Sequence, residues 1–197
     1  MNQSIPLAQQ GAIFSLLGRV FISELDMNTI HTLQDPNICQ VMDKLQPGFS
    51  KYINETQWDD ASINQLASDY CHLFILPQKT GLSLQANHWL LNDETFDIAK
   101  LESVIESLNI DLSSLNIGEV NLPKDHLSLL LYFISAVLGS PDNNIQALGH
   151  QIANLVLIPW ALRFIDKLSA AETNPLYLAS ADLLRLQLSH LDIEGVK

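Results

Sequence analysis

The chain has 197 residues, of which 47% are hydrophobic and 16% are charged, and this composition excludes a disordered protein. Its 22 acidic and 10 basic residues give a net charge of −12, which disfavours nucleic acid and anionic membranes as partners. The charge favours a basic partner, and solubility alone is an alternative explanation for it. The two cysteines, Cys39 and Cys71, provide neither a disulfide framework nor zinc-ligand spacing.

The N-terminal residues lack the basic-then-apolar pattern of a signal peptide. The longest apolar run, residues 152–158, spans about two helical turns before Pro159, which is too short to cross a membrane. We therefore predict a cytoplasmic protein with no stable membrane insertion.

Helical spacing begins near the N-terminus, where apolar residues recur at intervals of three and four. They predict one buried helix face, formed by Ala12, Ile13, Leu16, Leu17, Val20 and Phe21. Asp35 and Pro36 begin a second, short helix, which runs through Leu45. Pro47 and Gly48 break it.

Asp59 and Asp60 precede a third helix, whose apolar positions are Ile63, Leu66, Ala67, Tyr70, Leu73 and Phe74. From 75 to 92 the periodicity lapses, and a connection of this length inside a compact domain is usually functional or disordered. This one is too apolar for a disordered segment. We expect Leu82, Leu84 and Trp89 to be exposed there and to form part of a binding surface.

Helical periodicity then predicts four further helices, at 93–108, 123–138, 144–168 and 174–190. Pro159 should kink or divide the third of these. The polar segment 109–121 indicates a connection or hinge. The predicted fold is an all-α, single-domain bundle of about eight helices over residues 1–197, with one long apolar loop and no structural metal or disulfide.

An ionisable pair, Asp125 and His126, stands at the start of the apolar helix predicted for 123–138. Pro123 suits the first turn of a helix, and Asp125 would lie in that turn, at the positive end of the helix dipole. A charged imidazole at His126 would meet the same dipole unfavourably. The pair is therefore either a capping arrangement or a functional site.

Motifs for common chemistry are missing from the sequence. There is no glycine-rich phosphate loop, no His-Glu-x-x-His and no nucleophile elbow. The six histidines do not stand at metal-ligand spacing, and the neighbours Cys71 and His72 would point in different directions on a helix. We predict no catalytic residue, metal or cofactor.

Four segments carry a resemblance to a known family, namely 70–77, 89–90, 123–126, and 159–164 with 174–177. They resemble motifs of the TorD/DmsD-type cytoplasmic chaperones, which mature molybdoenzymes. In the same order, these motifs are an aromatic-x-x-Leu-Phe turn, a following tryptophan, Glu/Gln-Pro-x-Asp-His, and the pair Pro-Trp-x-x-Arg-Phe and Pro-Phe-Tyr. Order and spacing hold over about two-thirds of the chain. Four positions depart from the family pattern: Leu76, Gln78, Gln85 and Leu122.

The resemblance implies a non-enzymatic chaperone that binds the twin-arginine signal peptide of an apo-molybdoenzyme, or its folded body, before cofactor insertion and export. It also implies a monomer or a domain-swapped homodimer, with 109–121 as the candidate hinge. The residues it suggests for client binding are Asp125, His126, Pro123, Tyr70, Leu73, Phe74 and Trp89.

Among these residues, Asp125 would contact an arginine of the client, with His126 beside it as a polar or pH-sensitive neighbour. Tyr70, Leu73, Phe74 and Trp89 would line the apolar part, and the alternative for each is an ordinary core position. Two other functions stay open: an acidic helical adaptor that binds a partner helix, and an enzyme that hydrolyses a nucleotide.

Overall fold

The computed structural model describes residues 7–76, 81–90, 96, 98–107 and 122–194. The helices in these ranges are α1 Leu7–Ile22, α2 Met27–Leu33, α3 Pro36–Leu45, α4 Phe49–Glu55, α5 Asp60–Tyr70, α6 Ile98–Ser107, α7 Leu127–Leu138, α8 Asn143–Ile152, α9 Ile158–Ser169 and α10 Pro175–Glu194. The described ranges contain no β-strand, which confirms the all-α fold. The predicted hinge at 109–121 lies outside the described residues, and the single-domain organisation stays a prediction.

Aspartate side chains begin most of the shorter helices. The carboxylate of Asp35 accepts hydrogen bonds from the backbone N–H groups of Asn37 and Ile38 at 2.8 and 3.3 Å, and Pro36 occupies the first turn. Such caps satisfy N–H groups that have no partner within the helix. Asp26 caps α2 and Asp59 caps α5 in the same way.

Helices α2 and α4 are not predicted by the apolar periodicity. Each has seven residues, so it presents too few turns for an apolar stripe to be recognised. Gly48, with φ of 93°, turns the chain into α4 through a left-handed conformation that suits glycine. The predicted helix break at Pro47 and Gly48 is therefore a tight turn between two helices.

Helix α1 packs along α7, and this pair forms the centre of the core. Phe14, Leu17 and Phe21 of α1 are fully buried, as are Leu131 and Leu138 of α7. Burial of each such side chain contributes about 1.5–3 kcal/mol. Helix α10 covers α1, α3 and α9. The buried face predicted for α1 is correct for Leu17, Val20 and Phe21, but Ile13 and Leu16 are half-buried and Ala12 is exposed.

The predicted division at Pro159 is confirmed. A π-helical turn, Ala153–Leu157, separates α8 from α9, and the N–H of Ile158 bonds to the carbonyl of Ala153. The proline ring excludes a regular α-helical bond at this point, and the wider turn accommodates it.

The stretch Asn143–Ser169 is helical throughout and, by length and composition alone, could cross a membrane. This differs from the prediction based on uninterrupted apolar runs, because a window of 18 residues within the stretch includes polar residues and still has a mean hydropathy of 1.2. Core helices of soluble proteins meet the same criterion. Here Trp160, Phe164 and Leu168 are buried in the protein core.

The close approach of α1 to α7 generates a test. A Cβ at Gly11 would lie 3.0 Å from the backbone carbonyl oxygen of Ser135, whereas one at Gly18 would meet the ring of Tyr132 at 3.1 Å. We expect Gly11→Ala to lower the free energy of unfolding by about 1–3 kcal/mol, because helix α7 must shift, even though alanine favours helix by about 1 kcal/mol. Urea unfolding measures the change.

Gly18→Ala is the matched control, because a side-chain ring yields more easily than a helix backbone. Its loss of stability should be the smaller of the two. Equal losses, or a stabilised Gly11→Ala protein, would contradict the packing described for α1 and α7.

Candidate functional site

The leucines of residues 81–90 in the predicted 75–92 loop are packed inward, whereas Ile75 and Leu76 at its start are exposed. Leu82 is 1% exposed and Leu84 is 5% exposed, so the expectation that these leucines form an exposed surface is wrong. The loop carries a single 3₁₀ turn, Ala86–His88, and its apolar side chains join the core cluster. An irregular segment can be buried in this way only if its backbone polar groups find partners.

Trp89 fixes one end of this loop. Its indole Nε1 donates to the carbonyl of Ser83 at 2.7 Å, and its own carbonyl accepts a hydrogen bond from Arg163 at 2.6 Å. The indole ring meets Phe164 edge to face at a centroid distance of 5.9 Å, and Lys167 Nζ lies 5.9 Å from its centroid. Arg163 thus contacts a backbone carbonyl of the loop.

Asp125 fixes the middle of the same loop. Its backbone carbonyl accepts from the N–H of Ala86 at 3.0 Å, and its carboxylate Oδ2 accepts from the N–H of Asn87 at 3.1 Å. The side chain is 4% exposed. The expectation that Pro123 and Asp125 lie in the first helical turn is wrong, because α7 begins at Leu127 and the carboxylate is directed to the loop.

His126 is the N-cap residue of α7. Its Nδ1 accepts a hydrogen bond from the N–H of Ser128 at 3.2 Å, and it forms an isolated antiparallel bridge with Gln85. Burial lowers the pKa of His126 to about 4, and the negative charge of Asp125 opposes this only in part. The ring is therefore neutral at pH 7, so the expected conflict between a charged imidazole and the helix dipole does not arise.

A groove of about 630 Å³ opens beside this assembly, between the end of α1, the end of α5, the loop and residue 122. We call it the Tyr70–His126 groove. Its walls are mainly apolar, with Ile22, Tyr70, Phe74, Leu84 and Leu122 among the lining residues. Its volume falls within the range of about 300–1,000 Å³ that is usual for ligand clefts.

Three of the predicted site residues line this groove: Tyr70, Phe74 and His126. Each is buried for most of its surface and presents only part of the side chain to the groove. The hydroxyl of Tyr70 donates to the carbonyl of Phe21 at 3.2 Å, and burial, followed by the nearby Cys71 and Glu24, raises the pKa of this phenol. Tyr70 and Phe74 therefore serve both the core and the groove wall.

The other predicted residues lie behind or beside the groove. Leu73 is buried in the core, and Trp89 and Asp125 hold the loop whose outer face forms one wall. Pro123 is exposed, outside the lining of the groove. The structure thus brings the predicted residues to one region, but only some of them meet the groove itself.

The apolar spacing did not indicate two features of the groove. Glu24 is exposed and lines it, although nothing in the helical pattern of α1 distinguishes this residue from other surface glutamates. Ile75 and Leu76 are 59% and 50% exposed after the π-helical turn Cys71–Ile75, and Ile75 also lines the groove. The apolar run from Leu73 to Leu76 was the available signal, because one helix face cannot bury four consecutive residues.

The contact of Asp125 with the loop generates a stability test. Asp125→Ala leaves the N–H of Asn87 without its carboxylate acceptor, and we expect a loss of about 1–3 kcal/mol of stability. The amide of Asn87 should exchange with solvent faster, as hydrogen exchange can measure.

Asp142→Ala is the matched control, because Asp142 is an exposed N-cap that accepts from the N–H of Asn144 at 2.8 Å. Asp142→Ala should lower the free energy of unfolding by about 1 kcal/mol and leave the exchange rates of the loop amides unchanged. If Asp125→Ala left Asn87 as protected as in the wild type, the proposed support of the loop would be refuted.

The neutral state of His126 generates a pH test. Because its folded pKa, about 4, lies below its ordinary value of 6.5, the unfolded chain binds more protons between these values. The contribution of neutral His126 to the free energy of unfolding is complete above pH 6.5. It is lost as the pH falls toward 4, and the loss amounts to about 2–3 kcal/mol. His126→Asn keeps an N-cap acceptor but cannot titrate, so its stability should fall less over this window.

Urea unfolding at several pH values between 7 and 4 measures both slopes. The exposed His31 provides a control, as His31→Asn also removes one imidazole. Parallel slopes for the wild type and His126→Asn would show that His126 is not held neutral by the fold.

The family described as nitrate reductase delta subunit matches residues 35–166. A relative named chaperone protein TorD from Shewanella piezotolerans is 24% identical over 191 residues, covering 88% of this chain and 86% of the relative. The protein of the same name from Shewanella loihica is 25% identical over 196 residues, covering 93% and 91%. Because the family match covers more than half of the sequence, the chain belongs to the nitrate reductase delta subunit family, which confirms its resemblance to the TorD-type chaperones.

Proposed function

We propose that this protein is a cytoplasmic chaperone that binds the twin-arginine signal peptide of an apo-molybdoenzyme and holds the enzyme until its cofactor is inserted. Two relatives carry the name chaperone, which supports a binding role rather than catalysis. The observation that carries the proposal is the Tyr70–His126 groove, which combines apolar walls with an exposed carboxylate at Glu24.

The groove matches the chemistry of such a peptide. A twin-arginine signal has a basic end followed by an apolar stretch, so its receptor needs a carboxylate and apolar surface close together. The exposed side chains of Ile75 and Leu76 extend the apolar surface from the groove. The net charge of −12 would attract a basic peptide from a distance.

In this proposal the predicted site residues act in two ways. Tyr70, Phe74 and His126 contact the peptide, while Asp125 and Trp89 hold the loop that forms a groove wall. A direct contact between Asp125 and a client arginine stays a prediction. It would require the buried carboxylate to exchange its hydrogen bond from Asn87 for one from the peptide.

The oligomeric state also stays a prediction. A monomer and a domain-swapped homodimer are both compatible with the described residues, since the segment at 109–121 lies outside them. In a dimer swapped at 109–121, the groove would combine lining residues that precede this segment in one protomer with Leu122 and His126 of the other.

A synthetic twin-arginine peptide tests the proposal. We expect it to bind, and to bind more weakly as salt rises above about 0.1 M, where the Debye length is about 10 Å. Replacement of both arginines by lysine should weaken binding further, because lysine cannot form the bidentate contact. Isothermal titration calorimetry at several ionic strengths measures both effects.

The apolar contribution should persist at high salt. A scrambled peptide of the same composition controls for attraction by charge alone. Binding that ignores salt and the replacement of both arginines would instead support the alternative, an acidic adaptor for a partner helix.

A further inference from the structure

We infer that Glu24 is the carboxylate that receives a guanidinium group of the bound peptide. The inference rests on the proposed function and assigns its charged contact to a residue outside the segments that resemble the family. Four properties of Glu24 carry it: the fixed position of its backbone, the availability of its carboxylate, the neutrality of the polar groups around it, and the geometry of the groove.

The backbone of Glu24 is held in place just beyond the end of α1. Arg19, one turn earlier, directs its terminal nitrogens Nη1 and Nη2 at the carbonyl of Glu24 at 3.5 Å, and the hydroxyl of Ser23 lies 3.4 Å from the same oxygen. Leu25, the next residue, is buried in the core. The side chain of Glu24 is nevertheless exposed and lines the groove. The held backbone therefore places a solvent-accessible carboxylate at the groove.

The carboxylate is available for a partner. In the described part of the chain no lysine or arginine forms an ion pair with it, since Arg19 pairs with Asp26 at 3.2 Å. Its side-chain contact there is with the thiol of Cys71, at 3.3 Å between Sγ and Oε1. A thiol is a weak donor, so it satisfies little of the accepting capacity of a carboxylate, which has about four lone-pair sites.

Glu24 sets the charge of the groove. The other polar residues that line it within the described ranges are Ser23, Ser83, Gln85 and His126. The serine and glutamine side chains are uncharged, and the buried imidazole is neutral at pH 7. Among the described lining residues, one negative charge therefore stands without a compensating positive one, which favours a cationic ligand.

Guanidinium fits this arrangement better than a metal ion or an ammonium group. A metal ion needs several ligands, and the described residues contain no group of three His, Cys, Asp or Glu side chains that could hold one. Guanidinium offers five donors in a plane, so one edge can meet the carboxylate while another meets uncharged acceptors such as Ser83 and Gln85. The apolar walls suit its weak hydration.

Glu24 is also better placed than Asp125 for this role. Asp125 is almost fully buried, and its carboxylate already accepts a hydrogen bond from the loop backbone. Glu24 can receive an arginine without breaking a hydrogen bond that supports the fold. Two carboxylates near one groove can therefore have separate tasks, one holding its wall and the other binding its ligand.

A double-mutant cycle between protein and peptide tests the inference. Glu24→Gln keeps the size and the acceptor for Cys71 but removes the charge, and it is expected to fold normally because the side chain is exposed. We expect it to weaken binding of the twin-arginine peptide about 10- to 100-fold, which corresponds to the loss of a charge-assisted hydrogen bond. For a peptide in which glutamine replaces the contacted arginine, the affinity of the same variant should be less than twofold below that of the wild type.

Glu172→Gln is the matched control, because Glu172 is exposed outside the groove lining and its loss changes the net charge equally. It should change affinity less than twofold. Asp125→Asn, measured in the same cycle, should show no coupling to either arginine. If Glu24→Gln behaves like Glu172→Gln while the wild type still discriminates arginine from glutamine, the proposed function stands and the assignment of Glu24 is overturned.

If the wild type binds no twin-arginine peptide, the proposed function fails and a second probe decides the role of Glu24. Acetylarginine amide is titrated into carboxyl-labelled protein, with acetyllysine amide as the control, and the carbon-13 resonance of Glu24 is followed. A shift caused by the arginine compound alone supports a guanidinium site. Equal responses to both compounds, or none, overturn it.

Discussion

The groove depends on one buried residue, Asp125, which supplies two acceptors to a loop without regular structure. Residues 81–90 form no helix long enough to satisfy their own backbone groups, yet Leu82 and Leu84 are buried. Each unpaired buried N–H would cost about 1–3 kcal/mol, so the leucines can remain inside only while these groups are bonded. The carbonyl and carboxylate of Asp125 bond two successive N–H groups, and this holds one wall of the groove in position.

The neighbouring imidazole contributes by being uncharged. His126 can cap α7 through Nδ1 only while that nitrogen has no proton, and burial ensures this near neutral pH. A charged ring would oppose both the helix dipole and a basic ligand. Of the two residues before α7, His126 is a cap that also lines the groove, whereas Asp125 bonds the loop from behind the groove.

The sequence predicted the features that depend on local chemistry. Aspartate caps and the division at Pro159 follow from residues close together in the chain, and both are present. The predicted face of α1 is only partly buried, since Leu17, Val20 and Phe21 are buried whereas Ala12 is exposed. The inward packing of Leu82 and Leu84 depends on Asp125, about 40 residues away, and short-range spacing contains no signal for such a contact. The start of α7 was misplaced for the same reason, since Asp125 pairs with the loop. Glu24 was missed because an exposed glutamate after a helix has no distinguishing pattern.

The segments that carry the family resemblance contribute both to the loop and to the groove, which Tyr70, Phe74 and His126 line. The side chains of Trp89, Asp125 and Arg163 each form a hydrogen bond with a backbone group of the loop. Their common effect is to hold one wall of the groove in a fixed shape. Two departures from the family pattern, Gln85 and Leu122, instead line the groove, as does Glu24. Residues that build the wall can remain the same while residues facing the groove differ, because the former contact protein backbone and the latter contact the ligand. The choice of client is therefore expected to depend on the lining residues that depart from the family pattern, because these can differ without disturbing the wall.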